Sequence, residues 1–170
     1  NALVKKESFA VEKEGISRLL KSSQKLIKDK QLASFQQNAL NDIKESFKEK
    51  EVCLLYGITS SGKTELYIKL IEEQLKKGKQ VLYLLPEIAL TTQIIKRLQK
   101  HFENKVGITH SHLNNGERVE VWKAVQEQDS KKVQYQIMLG ARSSLFLPFS
   151  NLGLIIVDEE HDASFKQHQP

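Results

Sequence analysis

The chain has 170 residues, 39% of them hydrophobic and 28% charged, with a formal net charge of +5. At about 100–200 residues per domain, this is one domain with at most a short extension, long enough to bury a core without covalent staples. Charge and apolar content exclude a wholly disordered chain, no apolar run nears the roughly 20 residues of a membrane span, and the single cysteine, Cys53, excludes a disulfide framework or a multi-cysteine zinc site within these residues.

Residues 1–31 are lysine-rich, with Ile16, Leu19, Leu20, Leu26 and Ile27 at rough helical spacing. They read as a helical extension or linker from a preceding domain. Residues 34–50 predict a helix with an apolar stripe of Phe35, Ala39, Leu40, Ile43 and Phe47. Residues 52–56 read as a short apolar strand. Residues 64–77 read as a helix ended by Gly78, and 80–85 as a strand closed by Pro86. Residues 88–102 predict a helix, 105–109 a strand and 116–127 a helix. Residues 136–139 and 152–157 predict two more strands. Strands alternating with helices imply an α/β fold with a parallel central sheet between two helical layers. Val119 and Trp122 on the 116–127 helix read as packing residues rather than base-stacking ones.

The string Gly57-Ile58-Thr59-Ser60-Ser61-Gly62-Lys63-Thr64 fits G-x-x-x-x-G-K-[ST]. It follows a predicted strand and opens a predicted helix, the context in which this pattern holds phosphates. Glycines allow a tight turn that points backbone N–H groups inward, and the helix N-terminus adds its own. Lys63 supplies a point charge for the β and γ phosphates, and Thr64 a hydroxyl for Mg²⁺.

The apolar run 154–157 leads straight into Asp158-Glu159-Glu160-His161. A buried parallel strand ending in carboxylates places them at the sheet's C-terminal edge, where ligands of open α/β sheets bind. Asp158 is suited to hold Mg²⁺ through water, and Glu159 to orient or deprotonate the attacking water. A GTPase would carry an N-K-x-D guanine motif; the nearest string, Asn104-Lys105-Val106-Gly107, lacks the aspartate. A small-molecule kinase is excluded less sharply by pattern. His110 and His112 flank a serine, but no third metal ligand lies near them in sequence.

D-E-x-H after an apolar strand, downstream of such a loop, resembles the superfamily 2 helicases. Further strings narrow the resemblance. They are Pro86-Glu87-Ile88-Ala89-Leu90-Thr91-Thr92-Gln93, His110-Ser111-His112-Leu113, Gly140-Ala141-Arg142-Ser143-Ser144-Leu145-Phe146, and Asp158 through Gln167. Together they resemble the primosomal, PriA-type replication-restart helicases, from about Leu32 to the end. The resemblance implies a RecA-like first lobe over residues 32–170 of an ATP-dependent 3′ to 5′ DNA helicase in the bacterial cytoplasm. It implies work at stalled forks, with primosome and single-strand-binding proteins as partners, no membrane, and zinc held by cysteines outside this chain. It places Gln36 at the adenine-recognition position and His161 between the ATP site and DNA-contacting motifs. Phe165 would begin the aromatic-rich loop that senses DNA.

Loop residues at the strand ends are the DNA-contact candidates: Thr91, Gln93, Ser111, Arg142, Ser143 and Ser144. Hydroxyls, amides and arginines of this kind bind phosphate oxygens, so forked or single-stranded DNA would be bound without sequence preference and with strong salt dependence. The chain opens without Met and stops just past a motif, which reads as a piece of a longer protein. Alone, it is expected to bind Mg-nucleotide but turn it over slowly, because arginines of a second lobe complete the site in this superfamily. Two other readings remain open at the level of sequence: another superfamily 2 translocase, or a non-catalytic nucleotide-gated binding module.

Overall fold

The structure is a computed structural model that describes residues 32–57, 62–90, 92–126 and 134–166. The helical extension expected over residues 1–31 lies outside them. The first element is helix α1 (Ser34–Glu49), followed by α2 (Lys63–Lys76). Leu40 and Ile43 of α1 pack on Leu66 and Leu70 of α2, and Lys44 pairs with Glu73 across the same seam. Only the middle of the apolar stripe is covered; Phe35 and Phe47, toward its two ends, stay exposed. Helix α2 stops where expected. Gly78 takes a left-handed φ of 69°, and Lys79 donates its N–H to the Gln74 carbonyl, closing the last turn.

Four parallel strands follow: β1 (Gln80–Leu84), β2 (Val106–Thr109), β3 (Ile137–Gly140) and β4 (Leu152–Val157), in the spatial order β2-β3-β1-β4. Helices α3 (Thr92–Phe102) and α4 (Asn115–Gln126) complete the lobe. Side chains alternate across β1, as the two-residue period requires. Val81 and Tyr83 face α2 and α3, whereas Leu82 and Leu84 face α4. Helices therefore cover both faces of a parallel sheet, the α/β lobe expected. No helix among the described residues is long and apolar enough to cross a membrane.

Gln80 fastens the lower end of this sheet. Its buried amide donates to the carbonyls of Val125 (2.8 Å) and Tyr135 (3.3 Å). Its oxygen accepts the N–H groups of Ser150 (2.9 Å) and Asn151 (3.1 Å). One side chain thus joins β1 to the end of α4 and to the lead-in of β4.

Four expectations need correction. Residues 52–56 form no sheet ladder: Cys53 and Leu55 pack inward by side chain, while Val52, Leu54 and Tyr56 point into solvent. Among the described residues strand β4 is an edge rather than a buried strand, paired only with β1, and only Ile156 on it is buried. The 88–102 helix divides. A 3₁₀ turn over Glu87–Ala89 comes first, because Ala89 and Leu90 donate to carbonyls three residues back, and α3 begins only at Thr92. Val119 and Trp122 are about half exposed, because α4 turns Val121 and Val125 to the core instead.

Candidate functional site

The phosphate loop meets the lobe at two described points. At Gly62 the backbone takes φ 85°, a left-handed conformation that strains any residue with a side chain, and a methyl group there would displace the Gln36 side-chain amide. Glu65 donates its N–H to the Gly62 carbonyl (3.0 Å), which starts α2 directly after the loop. Lys63 Nζ donates to the carbonyl of Gly57 (2.8 Å), tying the loop's last turn to its first residue. Thr64 sits half-buried in the first turn of α2. Ile58, Thr59, Ser60 and Ser61 lie outside the described residues. Gln36 is brought against this loop: its Nε2 lies over Gly62, while its Oε1 accepts the Ala33 N–H (2.9 Å).

The acidic strand end is built on the pairing of β4 with β1. Asp158 extends the ladder by donating its N–H to the Leu84 carbonyl (2.9 Å). Its carboxylate is held on both oxygens. Tyr83 donates its hydroxyl to Oδ2 (2.8 Å), and Glu159 donates its N–H to Oδ1 (3.2 Å). The Tyr83 ring meets Tyr67 of α2 edge-on, with centroids 5.6 Å apart. Burial pushes both phenols well above their ordinary value, and the negative charge of Asp158 adds to each shift. The phosphate-loop helix and the acidic strand end are therefore neighbours, joined through two tyrosines. Glu159 takes a left-handed φ of 54°, uncommon for a residue with a side chain, and His161 Nε2 lies 3.6 Å from its Oε2. Glu65, just past the loop, pairs with Arg97 of α3 (2.6 Å).

The hard oxygen donors of Thr64 and Asp158 have the chemistry that Mg²⁺ takes, with water and phosphate oxygens filling the remaining positions. Among the described residues no group of three or more His, Cys, Asp or Glu gathers as a metal site of its own.

The strand ends also carry the expected DNA-contact residues. The turn after β2 is gripped from two sides. Glu87 accepts the Ser111 N–H (2.8 Å), while Arg118 donates to the carbonyls of Ser111 and Leu113 (3.1 Å each). The Ser111 hydroxyl and N–H hold the Glu87 carboxyl below its ordinary value. Gln93, Ser111, Arg142 and Ser143 are exposed. Arg142 reaches the Phe165 carbonyl at 3.5 Å, linking the turn after β3 to the segment after β4. Thr91 lies outside the described residues. Ser144 is a correction: it is 1% exposed, with its hydroxyl packed over Gly140, so it faces the sheet and not a ligand.

Sequence reading missed three residues here. Tyr83 stands in an apolar run, residues 81–85, where a buried hydroxyl implies a partner; that was the available signal. Glu87 and Arg118 gave none, since nothing local links them to Ser111.

A model of the family described as DEAD/DEAH box helicase matches residues 33–170. The chain is 41% identical over 140 residues to the Replication restart protein PriA of Bacillus subtilis (strain 168), covering 81% of this chain and 17% of that protein. To the PriA of Chlamydia trachomatis serovar D it is 38% identical over 170 residues, covering 93% and 22%. To that of Haemophilus influenzae it is 50% identical over 116 residues, covering 68% and 15%. The chain thus spans between 15% and 22% of the length of these relatives.

Proposed function

The chain belongs to the DEAD/DEAH box helicases, and from that membership we propose that it is the ATP-binding first motor lobe of a PriA-type DNA helicase that restarts stalled replication forks in the cytoplasm. The observation that carries this reading is the meeting of two chemistries at one sheet edge. Asp158 at the end of β4 and the helix that starts at Lys63 are bridged by the Tyr83 hydroxyl and the Tyr67 ring. Phosphoryl transfer needs little beyond positioning and charge, and this edge has the groups for both.

In the proposed mechanism Lys63 exchanges its bond to the Gly57 carbonyl for the β and γ phosphates. The loop amides and the start of α2 bind the remaining phosphate oxygens. Thr64 and Asp158 would hold Mg²⁺, which when bound would supply charge neutralisation at the phosphates. Glu159 orients the attacking water and accepts its proton. Gln36, beside Gly62, accounts for adenine preference once its amide turns to the base. His161, next to Glu159, carries the state of this site toward the strand-end loops. Gln93, Ser111, Arg142 and Ser143, with Thr91, contact the DNA backbone, so binding is salt-dependent and indifferent to sequence. Primosome and single-strand-binding proteins are the proposed partners.

The test is ATP hydrolysis by the full-length protein without DNA, with linear duplex and with a model fork, beside Lys63→Ala. Fork stimulation that the substitution abolishes is the expected result. Stimulation by linear duplex or RNA in preference to a fork would indicate a different superfamily 2 motor. Hydrolysis indifferent to DNA would leave a nucleotide-gated module and overturn the helicase reading.

A further inference from the structure

We propose that Tyr83 is a positioning residue for the nucleotide site, whose hydroxyl fixes the Asp158 carboxylate in the orientation that receives Mg²⁺. The inference rests on the proposed function and adds to it a residue outside the loop and strand-end motifs.

The geometry favours a specific role for the hydroxyl. Tyr83 is 0% exposed near the C-terminal end of β1, and its ring is held by Tyr67 and the core around it. A phenylalanine would fill the same volume and make the same ring contact. Only the hydroxyl reaches Asp158, at 2.8 Å from Oδ2. With Oδ1 taken by the Glu159 N–H, both ends of the carboxylate are fixed, and rotation about its last bond is blocked. Each oxygen accepts two hydrogen bonds or ligands when ionised, so each keeps acceptor capacity beyond the one donor it has here. Partners of this kind, one bond behind a ligand, orient it and tune its affinity.

Tyr83→Phe removes one atom and tests the idea. Binding of a fluorescent ADP analogue to the full-length protein would be measured with Mg²⁺ and with EDTA, alongside the Mg²⁺ concentration at half-maximal ATP hydrolysis. The expected result is a loss of about tenfold in the Mg²⁺-dependent part of nucleotide affinity, a matching rise in the Mg²⁺ half-saturation, and no change in EDTA. A purely structural role would weaken binding equally in both conditions and would overturn the inference. So would unchanged Mg²⁺ dependence. The double variant with Asp158→Asn guards against a folding effect. On that background Tyr83→Phe should cost nothing further in Mg²⁺ dependence, and an additive loss would overturn the proposal. Wild-type protein without Mg²⁺-dependent nucleotide binding would instead overturn the proposed function itself.

Discussion

Glu87 and Arg118 set the backbone of the 110–113 turn, so Ser111 is presented rather than left to wander. A carboxylate accepting an N–H is a charge-assisted bond, stronger than its neutral counterpart. Glu87→Ala is therefore expected to speed hydrogen exchange of the Ser111 amide by about three- to tenfold, with Glu87→Gln intermediate. The pH dependence follows from the sign of the shift. The Glu87 carboxyl lies below its ordinary value in the folded lobe, first because of the Ser111 hydroxyl and then its N–H. The anchor is thus fully present above the unfolded value and is lost as pH falls through the folded one. Acid titration followed at the Ser111 amide by NMR should show that loss below the ordinary carboxylate range. A midpoint at or above that range would contradict it. Ser144 teaches the converse at the same scale. Its neighbours Arg142 and Ser143 are exposed, but a 3₁₀ turn over Arg142–Phe146 swings the third residue inward beneath them.

Among the elements, β1 carries the most. It pairs with β3 on one side and β4 on the other, and its five residues are all buried. Gln80 begins it by satisfying backbone groups from three segments, and Tyr83 near its end reaches Asp158. Gln80→Leu would keep the volume but leave two carbonyls and two N–H groups without their partner. The expected cost is about 2–3 kcal/mol. At about 2–4 °C per kcal/mol for a lobe of this size, the melting temperature should fall by roughly 5–10 °C. Thermal unfolding checks it, and a shift within 1–2 °C (roughly 0.5 kcal/mol) would show that water replaces the network. The edge position of β4 has a different consequence. Its Ile155 and Val157, like Val52, Leu54 and Tyr56, expose apolar surface. Local pattern marks such segments as strands because they are apolar and β-branched. Whether they enter a ladder depends on a neighbour at hydrogen-bonding distance, which pattern does not contain.

For the molecule as a whole, the described part of the lobe holds the start of α2, the acidic strand end and the strand-end turns on a single rim. The chain by itself is expected to bind Mg-nucleotide, to hydrolyse it slowly and to unwind nothing. Nucleotide binding by calorimetry, beside strand separation on a labelled fork, tests this, and robust unwinding by residues 1–170 would contradict it. The order of the α-helices and of four of the five expected strands, the parallel sheet, and a glycine-lysine loop upstream of an acidic strand end were legible in sequence. Each is local: a glycine-lysine spacing, a period of two or of 3.6, an apolar run meeting carboxylates. What lay beyond reach joined residues far apart in the chain. Tyr83 to Asp158 spans 75 positions, Gln80 to Asn151 spans 71, and Glu87 to Ser111 spans 24. Sequence alone determined which groups are proposed to hold a nucleotide. Only the tertiary structure decided which oxygen each partner grips and which hydroxyl turns inward, because those outcomes depend on packing between segments that share no local pattern.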